Sequence, residues 1–363
     1  MPVIPYFDDA LALLDDALAS DEPPPPSDAA ASSQSAASPP KPSPTVVEPA
    51  AAAAFLLRCA RTPQRFFYPC NAKAREPVTC VYRFQRGVAR GFGPGPAICE
   101  ARVFECAYDA GGTGWRAWPS ALLLACWCAE HYGALELARA RVCELGCGLG
   151  LPGLAAAALG AADVTLTDCL PRLLATVRES AQATAAANGG RAPSVSVLDW
   201  DVEAPPDAAA AAEAYSTEQG VRSAQRRDDD DAAEAPLAAD VRFDVLLATD
   251  VIYSRAHAAQ LPAVVARRLA PGGRLCAMVP VRSEGDARTF LGGLQRIGAD
   301  VRLARVTAEW CAAATAAQRG EAPGGAARAE APYEAGTALQ EGEVVFVEAV
   351  VAAGNSGSVA GMD

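Results

Sequence analysis

Apolar and polar positions along this chain follow two periods, and the switch from one to the other lays out most of its elements. From residue 141 onward, short runs of β-branched and apolar residues alternate with longer stretches whose apolar positions recur every three or four residues. The short runs predict strands over 142–146, 163–168, 195–200, 243–250, 273–280, 300–306 and 343–351. The longer ones predict helices over 152–159, 170–187, 257–269 and 285–297. Strand and helix in regular alternation predict an α/β class, a parallel sheet covered by helices on both faces. The last strand has no helical pattern before it, which predicts an antiparallel final hairpin.

Ahead of this region, 78–84 and 97–106 have strand-like composition, and Gly91-Phe92-Gly93-Pro94-Gly95-Pro96 marks a long turn between them. An N-terminal β-hairpin is expected there. A helix then runs from Trp118-Pro119-Ser120 to about His131, with proline at its start. Ile4, Phe7, Leu11, Leu14 and Leu18 share one helical face among aspartates, so 4–19 reads as a short acidic amphipathic helix. Residues 20–50 are Asp, Pro, Ser and Ala in low-complexity order and are expected to stay unfolded. The expected division is a low-complexity arm over 1–55 and one domain over 56–363. Ala-, Asp- and Glu-rich insertions at about 203–240 and Gly-, Ala- and Glu-rich ones at 319–340 read as solvated loops, which cost little closure entropy.

Charge narrows the partners. The net charge of -12 and a pI near 4.8 argue against phosphate neutralisation of a nucleic acid and favour a basic protein or peptide. No run approaches a membrane span, and Asp8, Asp9, Asp15 and Asp16 speak against a leader at this end. Twelve cysteines occur without a C-x-x-C pair, most inside apolar patterns. Reduced buried thiols in the cytosol or nucleus are expected, and with only His131 and His257 no metal site is. No feature sets the oligomeric state, and a monomer is the expectation.

The densest candidate chemistry lies in Val142-Cys143-Glu144-Leu145-Gly146-Cys147-Gly148-Leu149-Gly150-Leu151-Pro152-Gly153. A strand enters a glycine-rich turn and a proline opens the following helix, as in nucleotide-type pockets. Two registers compete. Gly148-x-Gly150-x-x-Gly153, with Asp168 twenty residues beyond Gly148, matches a dinucleotide fingerprint. The register Glu144-x-Gly146-x-Gly148-x-Gly150 instead sets an acid before the turn, where it repels a pyrophosphate but suits an ammonium or sulfonium.

S-adenosyl-L-methionine carries both cations, and its ribose diol suits an acceptor such as Asp168 in either register. Leu198-Asp199-Trp200-Asp201 adds an aromatic face for adenine and an acid for its exocyclic amine. Lys41 and Lys73 are the only lysines and precede the sheet, so a Tyr-x-x-x-Lys dyad, a P-loop lysine and a Schiff base are excluded. His131 and His257 read as surface or capping residues. Methyl transfer from a sulfonium needs less catalytic inventory, because the leaving group is already activated and positioning lowers much of the barrier.

Five motifs now stand in order: Trp118-Pro119-Ser120-Ala121, Glu144-Leu145-Gly146-x-Gly148-x-Gly150-Leu151-Pro152-Gly153, Leu166-Thr167-Asp168, Leu198-x-Trp200, and Leu246-x-x-Thr249-Asp250-Val251-Ile252-Tyr253. Together they resemble the seven-strand, methyltransferase-like protein-lysine methyltransferases, methyltransferase family 16, over roughly 78–310 and the last strand. That family includes enzymes acting on elongation factors, calmodulin and chaperones, and a close branch is assigned to histone arginine methylation. The resemblance implies a Rossmann-like seven-stranded class I methyltransferase sheet, with S-adenosyl-L-methionine as cofactor, S-adenosyl-L-homocysteine as product, and no metal. It implies that Trp118 and Gly146-Cys147-Gly148 contact the methionine end, Asp168 the ribose, and Trp200 and Thr249 the adenine side and pocket wall. Asp250 and Tyr253 fall on the family's D-x-x-Y signature, where the substrate side chain enters. Arginine or small-molecule methylation in the same fold, and a non-catalytic interaction module, are the alternatives.

Overall fold

A computed structural model describes residues 45–47, 79–85, 98–107, 111–131, 135–203, 235–307 and 331–353. The amphipathic pattern at 4–19, most of the arm, and the bulk of both insertions lie outside them. In chain order the elements are β1 (Thr45–Val47), β2 (Thr79–Gln85), β3 (Ile98–Phe104), α1 (Pro119–Glu130), β4 (Arg141–Leu145), α2 (Leu151–Ala158), β5 (Asp163–Asp168), α3 (Pro171–Asn188) and β6 (Ser194–Val197). There follow α4 (Trp200–Glu203), β7 (Phe243–Thr249), α5 (Arg255–Arg268), β8 (Leu269–Pro280), α6 (Glu284–Arg296), β9 (Ala299–Arg305), β10 (Ala331–Pro332) and β11 (Val344–Val351).

The main sheet has the order β10-β9-β11-β8-β7-β4-β5-β6. Five strands from β6 to β8 pair in parallel, and β11 slots antiparallel between β8 and β9. Phe346 in β11 thus faces Met278 on one side and Ala304 on the other. These are the seven strands expected, with the two-residue β10 added at one edge. The antiparallel ending follows from the missing crossover helix, since only a crossover returns a chain parallel to its neighbour.

Period-two alternation divides the core between the two faces. Val142, Val245 and Leu247 pack with α1, α2 and α3, whereas Cys143, Leu145, Leu246 and Ala248 pack with α5 and α6. Gly293 in α6 lets this second layer close up, because a β-carbon there would stand 2.4 Å from Cγ of Pro262 in α5. Serines cap both helices: Ser254 Oγ accepts the N–H of His257 and Ser283 Oγ that of Asp286.

The expected hairpin forms, with β2 and β3 antiparallel, and it docks on α3 through side chains. Ser180, Thr184 and Asn188 stand four residues apart on one face of α3. Ser180 Oγ accepts from Phe104 N–H at 3.0 Å, Thr184 Oγ1 from Arg102 N–H at 2.9 Å, and Asn188 Oδ1 from Glu100 N–H at 3.1 Å. Asn188 Nδ2 also donates to the Glu100 carbonyl at 2.7 Å. The helix therefore serves the β3 edge as a partner strand would.

Three expectations about loops are corrected. Thr45–Val47, in the segment expected to stay unfolded, pairs in parallel with β2 and makes the hairpin a three-stranded sheet. Two valines satisfy strand preference there, and the neighbouring β2 edge accepts their backbone. The first insertion ends earlier than 240: Ala235 and Leu237 hydrogen-bond Val197, and Pro236 bridges to it. The second ends before 331, since β10 pairs with β9 and both Tyr333 and Leu339 are buried.

Candidate active site

Strand order reverses direction at β4, with β5 on one side and β7 on the other. A crevice at the carboxyl ends of such strands is where open α/β sheets bind ligands. Gly146, Gly148, Asp168, Asp199, Trp200, Thr249 and Asp250 all lie at these ends and are half-buried. Residues far apart in sequence are thus collected by the sheet into one rim.

The turn after β4 takes positive φ at Gly146 (59°), Gly148 (53°) and Gly150 (78°). At Gly146 the demand is also steric: a β-carbon would meet Val251 Cγ1 at 3.1 Å and the Trp200 ring at 3.2 Å. Trp200 therefore lies against the turn. On the other flank, a β-carbon on Gly114 would come within 3.0 Å of Gly148 Cα, so 112–118 covers the turn. Trp118, half-buried there, donates its Nε1–H to the Thr113 carbonyl at 2.9 Å, and the Arg116 guanidinium stacks 5.4 Å from its ring centroid.

Asp168 ties the turn to the next helix. Its Oδ2 accepts from Gly148 N–H at 3.1 Å, and Oδ1 from Cys169 N–H at 2.8 Å and Leu170 N–H at 3.3 Å. An ionised carboxylate offers about four acceptor directions and so can serve several donors at once. Asp199 uses Oδ1 to accept from Asp201 N–H at 3.0 Å, and its carbonyl accepts from Val202 and Glu203, so it caps α4. The Cys147 side chain is buried, its N–H is held by the Thr167 carbonyl at 2.9 Å, and burial pushes its thiol well above the ordinary range. A reactive cysteine is not what this position supplies.

Glu144 is a correction. It was expected to face a cationic ligand, yet it is fully buried. Alternation along β4 turns it, like Val142, toward α2, where Oε2 accepts from the Gly153 N–H at 2.8 Å. That N–H belongs to the first turn of α2 and has no partner within the helix. Oε1 meets no hydrogen-bond donor among the described residues. Burial pushes the carboxyl up to about 8, against the pull of the Gly153 N–H and with a further push from Asp168. Gly153 is the packing residue of this arrangement, since a β-carbon on it would stand 2.2 Å from Leu166 Cδ2 and 2.8 Å from Glu144 Oε2. Leu166 is itself buried and has no room to swing away. Gly153→Ala is therefore expected to cost about 1–3 kcal/mol, read as a lower urea midpoint at unchanged m-value.

On the acceptor side, Asp250 stands just past β7 with φ 55° and donates its N–H to the Met278 carbonyl at 3.0 Å. Its carboxylate is gripped at both oxygens by Arg282. Burial raises the carboxyl above its ordinary value while Arg282 pulls it down. Tyr253 is 38% exposed at the mouth. Its ring lies 4.2 Å edge-on from that of His257, which in turn stands 5.7 Å edge-on from Trp200. His257, read from sequence as a capping or surface residue, is buried between the two named site aromatics. No local signal marks this, because the contact with Trp200 is long-range.

Helix α5 also braces α4, which begins with Trp200. Gln260 Nε2 donates to Asp201 Oδ1 at 2.7 Å, and the fully buried Arg268 forks onto Glu203 at 2.6 and 3.1 Å. Among the described residues, no group of three His, Cys, Asp or Glu side chains is placed to hold a metal ion, and no helix is long and apolar enough to cross a membrane.

A parallel sheet reversing at a glycine turn, closed by an antiparallel strand inserted next to the edge, is the class I methyltransferase fold. Residues 104–214 match the model of the lysine methyltransferase family, the family whose motifs the sequence resembles. No curated protein matches the chain. Among solved structures, the chain is similar to magnesium protoporphyrin IX methyltransferase from Synechocystis PCC 6803 with bound SAH, at 14% identity and TM-score 0.37, covering 64% of this chain and 83% of that one. It is similar also to ribosomal protein L11 methylase from Lactobacillus delbrueckii subsp. bulgaricus, at 12% identity and TM-score 0.36, over 65% and 80% of the two chains. The [4+2]-cyclase SpnF overlaps at 15% identity and TM-score 0.38, over 67% and 84%. Strand order and the family match, rather than these overlaps, identify the fold.

Proposed function

We propose that this chain is an S-adenosyl-L-methionine-dependent protein-lysine N-methyltransferase. The observation that carries the reading is the joining of two half-sites at one sheet tip: a glycine turn with Asp168 and Trp200, and beside it Asp250 and Tyr253. The cofactor fits the residues present. The Gly146 turn sets bare backbone against the Trp200 ring with no side chain between them, the Asp168 carboxylate at the next strand end is the kind of acceptor a ribose diol needs, and the half-buried Trp200 offers a face to adenine. Trp118 and the backbone of 146–148 flank the amino-acid end, and Thr249 the pocket wall. When bound, S-adenosyl-L-methionine supplies a methyl group on an already activated sulfonium.

The chain's own task is to present a nitrogen lone pair to that methyl carbon. A lysine side chain arrives as an ammonium with a reference pKa of about 10.4 and must lose a proton first. Desolvation lowers that value, and the Arg282 guanidinium offsets the opposing pull of the Asp250 carboxylate. The proton leaves to water at the exposed mouth beside Tyr253, and the carboxylate and phenol oxygens then orient the neutral amine. The net charge of -12 supports a basic protein segment as substrate through long-range steering.

Calorimetry with S-adenosyl-L-homocysteine, and methyl labelling of a cell extract followed by mass spectrometry, test the reading together. Wild type is expected to bind the product and to label protein lysine. Asp168→Ala should weaken binding at least about tenfold, through loss of the ribose acceptor and of the turn's anchor. Asp250→Ala with Tyr253→Phe should cut labelling about 10²-fold at product affinity within about threefold. Label on arginine or in a metabolite fraction would replace the substrate class, and product binding without any label would leave a non-catalytic module.

A further inference from the structure

Asp250 adopts a backbone conformation that its neighbours must impose. A non-glycine residue at φ 55° sits at a strained position, and here it carries a carboxylate only 7% exposed. Two grips come from the neighbouring strand. The Asp250 N–H is held by the Met278 carbonyl in β8, and both carboxylate oxygens by Arg282, just beyond the end of β8, with Nη2 to Oδ2 at 3.0 Å. We propose that Arg282 is a positioning residue of the acceptor site, its planar fork setting the direction in which Asp250 presents its remaining lone pairs to the incoming nitrogen. The inference rests on the methyl-transfer reading above and gives Arg282, there only a counter-charge, a directing role.

The geometry favours direction over charge as the role. A fork engaging both oxygens fixes the plane of the carboxylate, which a point charge such as lysine leaves free to rotate. The fork is itself on firm ground. Val281 N–H donates to the Glu343 carbonyl and Gly342 N–H to the Val281 carbonyl, both at 2.8 Å, and Ser283 caps α6 on the other side. Arg282 is thus set between a strand end and a helix start, and β7 and β8 are paired up to Thr249 and Met278. Reacting groups held this way tolerate little displacement, and a shift of about 1 Å can cost 10²-fold in rate.

The test uses the full chain as wild type, Arg282→Lys, Arg282→Gln, Asp250→Asn and the Arg282→Gln/Asp250→Asn double variant. Initial rates of methyl labelling are followed against extract protein concentration, and S-adenosyl-L-homocysteine affinity by calorimetry. Both Arg282 variants should lower the saturating rate about 10²-fold, with half-saturation and product affinity within about threefold of wild type. Recovery of the wild-type rate by Arg282→Lys would overturn the proposal in favour of charge alone, and a wild-type rate in Arg282→Gln would overturn it outright. Thermal midpoints of the two single and the double variants report the grip without any activity. The double variant should lose less than the sum of the singles, and additive losses would overturn the proposal. If wild type binds product but labels nothing, the methyl-transfer reading falls, while the midpoints still decide whether Arg282 holds Asp250.

Discussion

Arg268→Ala is expected to destabilise the fold by about 3–5 kcal/mol, the range for stripping one partner from a buried ion pair. Arg268 is 0% exposed and Glu203 12%, so water does not reach the guanidinium and reaches the carboxylate only at its edge. Besides its fork on Glu203, the guanidinium donates to the carbonyls of Ala238 at 2.6 Å, Val241 at 3.3 Å and Leu237 at 3.5 Å. Truncation leaves those acceptors and a carboxylate whose other cation, Arg267, lies 3.6 Å away and is half exposed. The effect should reach the site, because Glu203 ends the helix that Trp200 begins. A lower urea midpoint with weaker product binding is expected. Replacing Arg268 and Glu203 together by Met and Leu should recover much of the stability, since buried pairs exchange for apolar residues at little net cost. Equal losses in the single and double variants would show that the carbonyl contacts, rather than the pair, dominate.

Glu144→Gln is expected to act in the opposite sense, and with pH. The Glu144 carboxyl is raised by burial to about 8 from an ordinary 4.5, so its proton stabilises the folded state. That contribution is fully present below pH 4.5 and is lost as pH rises toward 8, because the unfolded chain releases the proton first. At about 1.4 kcal/mol per unit, the window is worth on the order of 3–5 kcal/mol. Glutamine stays neutral at every pH and keeps an acceptor for Gly153 N–H. Thermal midpoints of the two proteins should therefore differ least near pH 4.5, diverge in favour of Glu144→Gln up to pH 8, and run parallel above. A constant gap from pH 4.5 to 8 would mean that Glu144 titrates normally.

The two periods of the sequence located nearly every strand and helix from β2 to β11, because each buries a face whose spacing is local information. What escaped was decided by distant partners. Thr45–Val47 needed the β2 edge, and Tyr333 needed α6, where Gln295 Nε2 donates to its carbonyl at 3.0 Å. The placement of Gly146, Gly148, Asp168, Trp200 and Asp250 along one rim was legible, since a strand end followed by a turn marks where a sheet opens. Glu144 was misplaced because its position before the turn says nothing about which face it takes; counting by two from Val142 was the signal that could have found it. His257 and Arg282 carry no such signal. Their roles depend on Trp200 and Asp250, which the sheet brings near them only after folding.

The docking of β3 on α3 has a consequence for how this protein could be taken apart and rebuilt. Backbone pairing ties two strands through every residue, whereas here three side chains, Ser180, Thr184 and Asn188, specify the attachment. The polar half of the fitting is therefore encoded on one stripe of one helix, while Phe84, Cys99, Ala101 and Val103 supply the apolar half to the shared core. A ribbon presenting the same three backbone donors in register and an equivalent apolar face could be seated there, leaving the strand order of the main sheet, and the crevice at its reversal, as they are.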